Sequence, residues 1–163
     1  TTYPDTGLGK QLKTVASLIK GGLATSVYYL NLGSFDTHIG QAGQQGRLLA
    51  ELNGAVAAFV TDLKIQNRFN DVLIATFSEF GRRVAQNASA GTDHGTANQM
   101  FFIGGKLRQP GIMNTLPDLT NLDNGDLRYS VDFRRVYTNL LNSWLQTDAG
   151  SVLKASFEPI QIV

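Results

Sequence analysis

The chain has 163 residues, 42% of them hydrophobic, which suits one domain able to bury a core and excludes a disordered segment. Fourteen Lys and Arg face thirteen Asp and Glu, a formal charge of +1 with no basic run, so no electrostatic footprint for nucleic acid or an anionic membrane is present. The absence of cysteine excludes disulfides, thiolate catalysis and thiolate metal sites, leaving oxygen and imidazole as the only strong metal donors.

The sequence begins "TTYPDTGLGK" without Met and is expected to be a piece of a larger domain. Residues 8–23 place Leu8, Leu12, Val15 and Ile19 on one helical face, with Gly21-Gly22 as a stop. "SVYYLNL" (26–32) is a β-branched and aromatic run that reads as a buried strand ending at Gly33. From 44 to 66, Leu48, Leu52, Ala55, Val56, Phe59 and Leu63 recur at helical spacing. "DVLIATFS" (71–78) and "QMFFIGG" (99–105) read as two more strands, separated by a polar, glycine-containing loop. "VDFRRVYTNLLNSWLQ" (131–146) reads as a last helix, and no apolar run approaches the roughly 20 residues of a membrane span. This alternation predicts an α/β layer fold with a mainly parallel central sheet, over residues 1–163 as one domain. Val27, Tyr29, Leu52, Phe59, Leu73, Ile74, Phe101 and Trp144 are its expected buried set.

Both histidines follow an aspartate closely, His38 in "GSFDTHIGQ" and His94 in "GTDHGTAN". In an open α/β sheet, ligands gather beyond the carboxyl ends of strands, and Asp36, His38, Glu79, Asp93 and His94 all fall in loops that follow predicted strands. Asp36, His38, Asp93 and His94 are the candidate metal ligands, a donor set that suits zinc or manganese, with calcium as a further candidate. In "SEFGRR" (78–83), Glu79 is a candidate ligand or general base and Arg82 a candidate anion-binding group through its planar fork of donors. Plainer readings stand beside these. His38 can cap the following helix, Asp93 can make an Asx turn, and Glu79 and Arg82 can pair with each other. Ser34 and Thr37 are nucleophile candidates on paper, without a recognisable base arrangement, and "NAS" (87–89) is a sequon of a kind common by chance.

Together, "GSFDTHIGQ", "LLAELNGAVAAFVTDL", "VLIATFSEFGRRVAQNASAGTDHGTANQMFFIGG" and "DFRRVYTNLLNSWL" closely resemble the C-terminal part of a bacterial family of exported proteins, the domain of unknown function 1501 family. The family pieces G-[FW]-D-T-H-x-x-Q, [ST]-E-F-G-R and G-x-D-H-[GW] occur here in order, with Ser34 standing where the first has glycine. The resemblance implies the C-terminal half of an alkaline-phosphatase-like sandwich of the sulfatase-like branch. It also implies export to the periplasm and a divalent-metal-dependent hydrolase of phosphate or sulfate esters acting on an anionic small molecule. Asp36 and His38 take the place of the superfamily's D-x-x-x-H pair at the shorter spacing D-x-H. For the second motif two placements compete, "TDHG" with Asp93 and His94, or "FSEFG" with Glu79 as the ligand. No upstream nucleophile strand is present, so the alternative is an inactive relative acting as an exported structural or partner-binding protein. Its partner would be the missing N-terminal part or another subunit.

Overall fold

The computed structural model describes residues Thr1–Val163, which divide into two compact units, Thr1–Val72 with Ala85–Asp93 and Leu73–Val84 with His94–Val163. The first unit is built on two helices, α1 (Gly7–Lys20) and α2 (Gln41–Ile65). Thr6 caps α1, its hydroxyl accepting from the Gly9 amide at 3.1 Å. Gly22, at φ +77°, ends the helix as the Leu23 amide returns to the Leu18 carbonyl at 3.2 Å. The predicted apolar stripe is the buried one: Leu8, Leu12, Val15, Ala16 and Ile19 on α1 pack with Ala55, Phe59 and Leu63 on α2. Polar bridges tie the same pair, with the Tyr3 hydroxyl donating to Asp62 at 3.0 Å and the Leu8 amide to Glu51 at 3.3 Å.

The second unit carries short strands. β1 (Leu73–Ala75) pairs antiparallel with β4 (Phe102–Gly104), Ile74 opposite Ile103. β5 (Leu122–Asp123) and β6 (Asp126–Leu127) form a minimal antiparallel hairpin. α3 (Phe133–Asn139) is capped by Asp132 and runs into a single π-helical turn, Leu140–Trp144, before α4 (Ala149–Leu153), capped by Asp148. Asn139, fully buried, accepts hydrogen bonds from the Ile162 and Val163 amides at 3.1 and 3.2 Å and so anchors the C-terminal residues. β2 (Gly81–Gln86) and β3 (Thr92–Gly95) pair with each other as a hairpin.

These strands overturn the expected parallel central sheet and, with it, the alkaline-phosphatase-like sandwich. All sheets are two-stranded, and their pairing is antiparallel. Residues 26–32 join no ladder, and Val27 and Tyr29 are 64% and 72% exposed instead of buried. The strand within 71–78 is confined to three residues. The physical reason is that a β-branched, aromatic run reports fitness for a pleated, half-buried surface, and forms a strand only where another strand satisfies its amides and carbonyls. Of the expected core, Phe59 is buried, Leu52, Leu73, Ile74 and Trp144 are half-buried, and Phe101 is exposed. No helix is long and apolar enough to cross a membrane.

Candidate functional site

Within the first unit, three of the expected residues come together around one imidazole. His38 Nε2 lies 2.8 Å from Asp36 Oδ1, and His38 Nδ1 lies 3.6 Å from Asp93 Oδ1. The cluster is open to solvent, with about half of each side chain accessible, 43% for His38, 63% for Asp36 and 62% for Asp93. Asp36 and His38 flank Thr37, whose amide donates to the Phe35 carbonyl at 2.9 Å in a γ-turn centred on Asp36. Thr37 is directed inward and is 1% exposed. Its hydroxyl accepts from Gln45 Nε2 at 3.1 Å, tying the segment to the first turns of α2. That burial makes Thr37 an anchor for its two neighbours and removes it as a nucleophile candidate.

Asp93 reaches His38 through a turn that sequence reading passed over. Asn87 Oδ1 accepts from the amides of Ser89 and Gly91 at 2.9 and 3.0 Å, an Asx turn that reverses the chain between β2 and β3. The same side chain donates from Nδ2 to the His38 carbonyl at 3.0 Å. The Gly40 amide then donates to the Ser89 carbonyl at 3.0 Å and the Gln41 amide to the Ala90 carbonyl at 2.9 Å. Gly91 is needed for proximity: a Cβ there would stand 2.1 Å from the His38 carbonyl oxygen. The left-handed conformation of the turn falls instead on Ala90, at φ +56°. The signal that was available in the sequence was the Asn in "NASAG", since Asn is the residue that bonds the backbone two residues on.

"TDHG" is thus a strand, β3, and not the glycine-flanked loop that was expected. His94 belongs to the second unit, where its ring stacks on Phe80 with centroids 3.7 Å apart and planes 7° from parallel. Arg82 lies over the same Phe80 ring at 5.1 Å, a cation–π contact. The Phe80 carbonyl accepts from Ser78 Oγ at 2.8 Å and Asn98 Nδ2 at 3.0 Å, which holds the "SEFG" bend. Gly81 fits there because a Cβ would meet the Ala97 carbonyl oxygen at 1.7 Å. Glu79 is exposed on that bend.

The chemistry of the first-unit cluster follows from proton counting. A neutral imidazole carries one N–H, so whichever nitrogen is bare faces a carboxylate oxygen, acceptor against acceptor. A cation relieves that opposition, either a second proton on the ring or a metal ion. The 3.6 Å separation is too long for a hydrogen bond and close to the donor–donor edge of roughly 3.0–3.4 Å around an ion with bonds of about 2.0–2.1 Å. Beside the turn, a shallow cavity of about 340 Å³ is lined by Gln41, Gln45, Gln86 and Thr92 and by no charged side chain. A family model described as "Protein of unknown function (DUF1501)" matches residues 23–150. No match was found among curated proteins or among solved structures.

Proposed function

We propose that this chain, which belongs to the DUF1501 family of proteins of unknown function, binds a divalent metal ion at His38 together with one of its two flanking carboxylates, Asp36 or Asp93, and uses it to hydrolyse phosphate or sulfate esters. The observation that carries the reading is the His38 ring with a carboxylate oxygen at each nitrogen, at 2.8 and 3.6 Å. An imidazole among carboxylates favours zinc or manganese, since calcium takes oxygen ligands. In such a centre one carboxylate holds the ion with the imidazole and the other orients the ring through its second nitrogen. The ion supplies Lewis acidity toward the ester oxygens. The neutral amides lining the neighbouring cavity suit an uncharged, hydroxyl-bearing part of a substrate. Sequence motifs nominate three further groups: His94 as a donor, Glu79 as ligand or base, and Arg82 for the anion. The proposal rests on none of them, and export to the periplasm belongs to the same family-based reading.

One observation favours a second reading, an exported structural or partner-binding protein: the run 23–32, which joins no strand, exposes Leu23, Val27 and Tyr29. Elemental analysis of protein purified without chelator, followed by turnover of aryl phosphate and aryl sulfate with added zinc or manganese, separates the two. The proposal expects about one equivalent of metal and hydrolysis that is lost in His38→Ala. Less than about 0.2 equivalents, unchanged by added zinc or manganese, overturns the metal centre. Full occupancy without turnover of either ester keeps the ion and rejects the hydrolase.

A further inference from the structure

Asn87 makes three side-chain hydrogen bonds, and they point in two directions. Oδ1 serves the turn itself, through the Ser89 and Gly91 amides, whereas Nδ2 leaves the turn and reaches the His38 carbonyl, 49 residues away in sequence. The bonds from Gly40 and Gln41 to the Ser89 and Ala90 carbonyls continue the same seam on the other side of His38. Gly91 passes so close to the His38 carbonyl that no side chain fits between them, and Asp93 follows two residues later. The position of Asp93 relative to the His38 ring is therefore set where the turn meets the His38 backbone. At that junction the Asn87 amide donates to the His38 backbone itself, while Thr92 Oγ1 donates to the Gln41 side chain at 3.0 Å.

We infer that Asn87 is a positioning residue of the cluster: its amide fixes the backbone of His38 on the turn that leads to Asp93, and so sets the distance between the imidazole and the Asp93 carboxylate. The consequence for metal affinity rests on the proposed metal centre, whereas the positioning itself is read without any ion. The residue is the acceptor of the "NAS" sequon, and its engaged Nδ2 gives that asparagine a role unrelated to glycosylation.

Two substitutions separate positioning from plain support of the turn. Asn87→Ser keeps a short side-chain oxygen that can accept from the Ser89 amide, adds no charge and cannot reach the His38 carbonyl; Asn87→Ala removes both functions. The measurements are the imidazole ¹⁵N resonances of the metal-free protein, zinc affinity by calorimetry, and melting temperature. With His38 mispositioned, both variants shift the His38 ring resonances and bind zinc about tenfold more weakly, the loss typical when a group that orients a ligand is removed. Melting temperature falls more in Asn87→Ala than in Asn87→Ser. His38 resonances and zinc affinity identical to the parent protein in Asn87→Ser overturn the inference, even if that variant melts earlier. Should the parent protein take up no zinc, the metal centre fails and the ring resonances alone decide whether Asn87 positions His38. Should Asn87→Ala not fold, Asn87→Ser decides.

Discussion

The two histidines occupy similar words of sequence and different chemical surroundings. His38 has a carboxylate oxygen at each ring nitrogen, so the edge of its ring does the interacting. His94 lays the face of its ring on Phe80, in line with a cation–π contact from Arg82 on the same phenyl ring. Edge contacts of an imidazole exchange protons and metal ions; face contacts depend on dispersion and quadrupoles and are indifferent to which nitrogen is protonated. An Asp placed just before a His therefore fixes neither role by itself. What decides is whether the backbone turns the carboxylate toward the ring, as it does for His38 through the γ-turn at Asp36 and the turn before Asp93.

The largest expected effect breaks the comparison at its charged member. At zinc a hundredfold above its dissociation constant, binding stabilises the folded chain by about 2.7 kcal/mol, and His38→Ala removes all of that increment. His94→Phe preserves a flat ring on Phe80, so its metal-free stability stays within about 0.5 kcal/mol of the parent. The proposed centre at His38 does not include His94, so His94→Phe is expected to keep the parent's zinc response. Melting curves with and without zinc measure both, and a zinc response lost in His94→Phe would overturn a centre confined to His38 and its carboxylates.

A second effect isolates the backbone that makes the His38 environment possible. Gly91→Ala forces a methyl to within 2.1 Å of the His38 carbonyl oxygen, a clash with backbone that no side-chain rotation relieves. The expected destabilisation is about 1–3 kcal/mol, with loss of the zinc response, read from urea denaturation and repeated zinc titration. Native stability and zinc affinity in this variant would mean that the seam between residues 38–41 and 87–91 is not needed for the cluster.

The smallest effect sets a baseline for the helical part of the first unit, away from either histidine. Burial, and then the hydrogen bond and charge of Asp62, push the Tyr3 hydroxyl well above the ordinary phenol value of 10. Below pH 10 both folded and unfolded chains keep that proton and the bond contributes fully. Above it the unfolded chain releases the proton while the folded chain retains it, so stability falls as pH rises from 10 toward the raised value. Tyr3→Phe is expected to lose about 1 kcal/mol at neutral pH and to flatten that alkaline decline, as followed by denaturation at pH 8 to 11. An unchanged alkaline slope would remove Tyr3 as its cause.

Much of the helical structure was legible in the sequence because the signal for a helix is internal to it. Leu8, Leu12, Val15 and Ile19 declare α1 by their own spacing, and Phe59 and Leu63 do the same for α2. Strand pairing is not internal. The run 26–32 has the composition of a strand and lacks a partner, whereas β1 and β4 form because Leu73–Ala75 and Phe102–Gly104 meet. The last helix falls between these cases: its start at Phe133 was legible from the pattern, but the change to a π-helical turn at Leu140 leaves no mark in the periodicity. At the cluster, Asp36, His38 and Asp93 were legible as residue types that do chemistry. Thr37 and Asn87 were not, because their importance comes from Gln45 and from a carbonyl that belongs to a distant residue.

The seam between the turn and His38 also sets the length of chain that folding must close. Its side-chain bond closes a span of 49 residues, of which α2 accounts for 25. Closing so long a span while it is still a flexible coil is slow and entropically costly, whereas a helix already formed replaces half of it with a rod. A formed α2 therefore lowers the entropic cost of joining the two Asp/His motifs. A chain in which that span stays open can hold its helices, its apolar stripe and both of its histidines, and still has no cluster.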